Sequence, residues 1–110
     1  MDEKKRRKMN PRTATFGHKA TVKIGGKTIL ETEKAVSLEG NFYFPVSEDF
    51  AKMLTESSRT YRCPWKGFAN YYDVDGVKNA GWIYHEPKEE AAAIAGMIAF
   101  DPELVEVSGE

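Results

Sequence analysis

The chain has 110 residues, 41% hydrophobic and 30% charged, with a net charge of −1. That length supports one domain with a modest core and excludes two. The longest apolar run, residues 91–100, is broken by Gly96 and is too short to span a membrane. Residues 1–15 are polar almost throughout and lack the apolar centre of a secretory signal, so the expected location is cytoplasmic.

One cysteine, Cys63, cannot form an internal disulfide, and His18 and His85 do not complete the clustered ligand set of a zinc site. No metal or other cofactor is expected. Residues 1–19 carry seven Lys/Arg against two acids, while the rest carries nine against fifteen. Residues 1–17 therefore read as a basic, flexible arm and 18–110 as the folded domain. Such an arm could touch an anionic surface, but the acidic body argues against nucleic acid as a main partner.

Residues 20–24 and 27–31 alternate around Gly25-Gly26 and predict a β-hairpin, with Val22 facing Ile29. Residues 35–38 and 42–44 predict two more strands about the turn Glu39-Gly40-Asn41, with Pro45 ending the second. Ser47 predicts the cap of a short helix through about Thr55, since Glu48 and Asp49 suit its N-terminal end. Pro87, Glu89, Glu90 and Gly96 predict a second helix over residues 87–95. Residues 97–100 and 104–107 then give two closing strands. The fold class is mainly β (α+β), a single small domain of antiparallel hairpins with two short helices.

The most informative stretch is residues 61–84, which hold seven of the thirteen aromatic residues, both tryptophans and the cysteine. Asp75-Gly76 predicts a two-residue turn pairing Val74 with Val77. On that register Phe68, Tyr72 and Val74 share a face with Val77, Asn79 and Ile83. Tyr71, Trp82 and Tyr84 share the other face, opposite Ala80, Ala69 and Gly67, while Asp73 meets Lys78 near the turn. Both faces are apolar, whereas a hairpin with its back to water is polar on one side. The second face therefore needs a cover: a sheet, a helix, a second copy of the chain in a homo-oligomer, or a ligand.

The run Thr60-Tyr-Arg-Cys-Pro-Trp-Lys-Gly67, followed by Ala69, Tyr71-Tyr72, Asn79-Ala80, Trp82, Tyr84, Pro87, Ile94-Ala-Gly96 and Ala99-Phe100, resembles the domain of unknown function 427 family. The resemblance covers about residues 18–108. It implies a small, mostly β domain of the Mss4-like or β-tent architecture, found mainly in bacteria and archaea. Relatives of that architecture include methionine sulfoxide reductase type B and the thalidomide-binding domain of cereblon. Some of these hold zinc or bind ligands in aromatic cages, but this chain lacks the cysteines for the zinc. The family is also sometimes filed under a nucleotidyltransferase name.

Three chemistries follow from the residues. Trp65, Tyr71, Trp82 and Tyr84 are expected to wall a pocket for an unknown small molecule, with Lys66, Arg62 and His85 at its polar edge and Cys63 lining it. In the alternative, Cys63 is a catalytic nucleophile or redox thiol, its thiolate favoured by Arg62 and Lys66 and its proton handled by Lys66 and His85. In the third, Asp73 and Asp75 hold magnesium for nucleotidyl transfer, although no Gly-rich phosphate loop accompanies them.

Overall fold

Three two-residue turns organise the computed structural model, which describes residues 12–110. Gly25-Gly26, Glu39-Gly40 and Asp75-Gly76 have positive φ at both positions, between 49° and 87°. That is the turn whose twist matches the twist of paired strands. The first joins β1 (Thr15–Ile24) to β2 (Lys27–Leu38), and the second joins β2 to β3 (Asn41–Tyr43). The third joins β5 (Gly67–Val74) to β6 (Val77–Ile83). The remaining strands are β4 (Leu54–Cys63), β7 (Ile98–Phe100) and β8 (Glu106–Gly109).

The strands form two antiparallel four-stranded sheets, ordered β3-β2-β1-β8 and β4-β5-β6-β7. An isolated bridge joins them where Phe44 and Ile98 exchange backbone hydrogen bonds of 2.8 and 3.0 Å. The protein is thus mostly β with two short helical segments, as its patterning predicts. No described helix is long and apolar enough to cross a membrane.

Several boundaries differ from expectation. β1 opens at Thr15, within the stretch read as arm, while residues 1–11 of that arm lie outside the described residues. The predicted strand at 35–38 is the end of one long β2, and Val22 pairs with Leu30 rather than Ile29 because the register slips between Val22 and Lys23. The first helix, α1, spans only Glu48–Ala51, capped by Ser47, whose hydroxyl accepts the Phe50 N–H at 3.0 Å. Leu54 instead opens β4, which alternation alone did not reveal. The second helix is a 3₁₀ segment over Glu89–Ile94, with Ala91 out of helical geometry.

The hairpin β5–β6 keeps its turn but not its simple register. Val74 pairs with Val77, yet Tyr71 pairs with Trp82 and Tyr72 with Gly81. A bulge absorbs the two-residue slip: Asn79 takes φ of 53°, donates its N–H to Asp73 Oδ1 at 2.9 Å, and accepts a hydrogen bond from Ser57 at 2.5 Å. An even slip leaves Tyr71, Trp82 and Tyr84 on one face, but moves Tyr71 from Ala80 to Trp82. Ala80 joins the opposite core. Asp73 pairs with Lys78 at 3.7 Å, as the turn predicts.

The second face is covered by the chain itself. One core gathers Val22, Phe44, Phe50, Val74, Ile83 and Ile98. The other gathers Val36, Leu38, Tyr43, Cys63, Ala69, Tyr84, Ala91 and Ile94, with Trp65 and Trp82 packed against it. Strands β2 and β3 and the 3₁₀ segment therefore close over the Tyr84 face. Ile98, fully buried at the bridge between the sheets, is the most direct test of this joint. Ile98→Ala should cost about 2–5 kcal/mol in urea unfolding, and a loss below about 1 kcal/mol would contradict the packing described.

Candidate functional site

The loop between β4 and β5 carries the Cys-Pro-Trp-Lys-Gly run across the Cys63–Gly67 pair. Two bonds lock it: Lys88 N–H donates to Lys66 O at 2.8 Å, and Lys88 Nζ donates to Pro64 O at 2.7 Å. Gly67 has φ of +111°, a conformation costly for any residue with a Cβ. The backbone at Pro87-Lys88 passes about 3.5 Å from where that atom would sit. The loop is consequently rigid where it delivers Trp65 and Lys66.

Lys66 is the one buried charged side chain among the described residues, only 6% exposed. A lysine is rarely buried without a counter-ion. Its Nζ pairs with Glu39 of the β2–β3 turn and lies 5.4 Å from the ring centres of both Trp65 and Tyr84. Glu39 also accepts the Trp65 indole N–H at 3.4 Å, and the Arg12 guanidinium lies 4.8 Å from the centre of the Trp65 ring. Beside this group Trp82 Nε1–H donates to the buried Tyr43 hydroxyl at 3.3 Å. Tyr71 lies 5.8 Å from Trp82 and carries the Arg59 guanidinium 4.3 Å from its ring centre.

Electrostatics follow from this geometry. The hydrogen bond from Lys66 is the main cause that holds the Glu39 carboxyl below its ordinary pKa, against the opposing cost of burial. Burial pulls the Lys66 ammonium the other way, but its hydrogen bond to Glu39 and the neighbouring groups outweigh that, and its pKa is raised. Burial raises Tyr43 and, strongly, Tyr84, so both phenols are neutral at ordinary pH. Tyr84 is 2% exposed, and among the described residues none hydrogen-bonds its hydroxyl. An unpaired buried hydroxyl is costly in a folded protein.

The structure divides the residues expected at the site. Trp65, Trp82 and Tyr84 belong to the second core, Lys66 lies against Tyr84 and Tyr71 against Trp82, and Cys63 is buried in that core. Arg62 and His85 lie on the opposite side. Arg62 sits across from Phe68, 5.1 Å from its ring centre, and His85 Nε2 is 2.7 Å from the Tyr72 hydroxyl. There Arg62, Cys63, Pro64, Gly67, Phe68 and Lys88 line an open groove of about 490 Å³, which adjoins a smaller one reaching His85 and Glu86. No described residue bonds the Cys63 thiol as a catalytic base would. Asp73, as a backbone acceptor and the partner of Lys78, is engaged in the turn.

Glu39, Tyr43 and Arg12 were not picked out from the sequence. Glu39 had a signal, since a turn read as Glu39-Gly40 puts a glutamate where asparagine, aspartate or glycine is usual. Its φ of 54° costs an L-residue roughly 1–2 kcal/mol, a local strain that its contacts must offset. A depressed carboxyl contributes stability above its unfolded pKa, near 4.5, and loses it as pH falls through the lower folded value. Wild type should therefore be more stable than Glu39→Gln at pH 6, and the gap should close as pH falls from near 4.5 through the lower folded value. Because Glu39 is more than a third exposed, the difference should be about 1 kcal/mol or less. Melting curves across pH check this, and a gap that widens in acid would contradict it.

Among curated proteins none matches the sequence. A family described as Domain of unknown function (DUF427) matches residues 12–110, extending past both ends of the stretch that carries the motif resemblance. The match spans both sheets, the Cys-Pro-Trp-Lys-Gly loop and the turn that carries Glu39. A match over nearly the whole chain makes this protein a member of the DUF427 family.

Proposed function

We propose that the protein is a small-molecule-binding module whose site is centred on Lys66. The observation that carries this reading is a buried ammonium 5.4 Å from the centres of two aromatic rings, one of them the buried Tyr84, whose hydroxyl no described residue bonds. Trp65 and Tyr84 offer ring faces, Lys66 offers a charge-assisted donor, and Trp82, Tyr71 and Tyr43 support them from behind. A ligand with a flat ring and an anionic or carbonyl group suits such a set. Cys63 contributes volume to the wall.

One observation favours a second reading. Phe68 is 57% exposed beneath Arg62 in the outer groove, whose volume falls in the range of small-molecule sites. That reading puts the ligand on Arg62 and Phe68, with His85 at the far end. The thiol chemistry of Cys63 has the groove as its access but lacks a bonded base among the described residues. Nucleotidyl transfer, which the family label NTP_transf_9 names, would need Asp73 and Asp75 freed from the turn.

The test is a tryptophan-fluorescence screen of aromatic carboxylates, phosphates and amides, repeated on folded Lys66→Met, Trp82→Ala, Arg62→Ala and Cys63→Ser proteins. Loss of a charge-assisted hydrogen bond should weaken binding at least about tenfold in Lys66→Met, with Arg62→Ala and Cys63→Ser close to wild type. Binding that survives Lys66→Met and fails in Arg62→Ala places the ligand in the outer groove. Absence of any binding compound sinks both readings.

A further inference from the structure

We propose that Glu39 is a built-in substitute for the ligand's anionic group: its carboxylate occupies the seat on Lys66 and Trp65 that a ligand carboxylate or phosphate takes when the Glu39 side chain turns out to solvent. This inference rests on the reading that Lys66 is the centre of the binding site. It adds the ligand's class and a gate.

The seat itself is made of donors. The Lys66 ammonium and the Trp65 indole N–H both donate, and the acceptor that meets them is Glu39. Removing Glu39 alone would leave the Lys66 charge without its carboxylate, which is unfavourable. Exchange for another oxyanion keeps the ammonium neutralised at both ends of the process. An uncharged ligand would not, so the site selects anions.

The two partners differ in freedom. Lys66 is held by burial and by the backbone bond from Lys88, so it stays. Glu39 sits at the tip of a two-residue turn, its side chain 39% exposed, with φ of 54° where glycine or asparagine is usual. It can leave toward solvent without moving a core element, because the hairpin below it closes at the Leu38–Asn41 pair.

Benzoate and inorganic phosphate are the probes, measured by calorimetry and by the Trp65 indole N–H resonance, assigned with a Trp82→Phe protein. Glu39→Gly removes the carboxylate and suits the backbone, while Glu39→Gln keeps the side chain's size and removes its charge. Either variant decides the matter if the other fails to fold. At least one probe should bind Glu39→Gly about tenfold or more tighter than wild type, with Glu39→Gln also tighter than wild type. The Trp65 resonance should move with it, and the gain should vanish in Glu39→Gly/Lys66→Met. Equal affinity in wild type and both variants, still dependent on Lys66, overturns the gate and leaves the binding site standing. No binding of either probe to any variant overturns the gate and the Lys66 site together.

Discussion

A hairpin that is apolar on both faces has to be covered twice, and the rest of this structure is arranged around that requirement. Strands β5 and β6 stand between two cores, with Val74 and Ile83 contributing to one and Ala69 and Trp82 to the other. The first sheet supplies the cover for both, because β1 and β2 place Ala20, Val22 and Ala35 on one side of the division and Val36 and Leu38 on the other. The Phe44–Ile98 bridge fixes the sheets where they meet. Each core is small, so neither could hold the fold alone.

The candidate site grows out of the second cover. Once Leu38 and Tyr43 close over Tyr84, the turn between β2 and β3 has to pass over the loop that follows β4, and Glu39 meets Lys66 there. Burial makes that pair matter, since a charge withdrawn from water is tolerated only beside an opposite charge and good hydrogen bonds. Aromatic faces on either side add cation–π attraction and keep water away. A packing problem solved in this way leaves a charged cluster against an apolar wall.

Much of the hairpin was legible in residue order. Asp75-Gly76 located its turn, Asp73 and Lys78 paired as expected, and period-two alternation sorted Tyr71, Trp82 and Tyr84 onto one face. The register was not, because the bulge at Asn79 depends on Ser57 from another strand and on a positive φ that no local rule demands. Strand β4 was missed for a related reason: Thr55 to Arg62 is mostly polar and exposed, so it carries no core stripe to announce it. The ring residues of the candidate site can be read from the sequence, but the carboxylate that pairs with Lys66 cannot. Glu39 lies 27 positions from Lys66, and only the closing of the second core brings them together.

The central claim is that β5 and β6 form the shared wall of both cores, and native-state amide hydrogen exchange tests it directly. The account predicts that paired amides of residues 69–72 and 81–83 exchange only through global unfolding and are the slowest in the protein, while those near the Gly25-Gly26 turn open locally. Amides of β5 and β6 exchanging faster than those of β1 and β2 would contradict it.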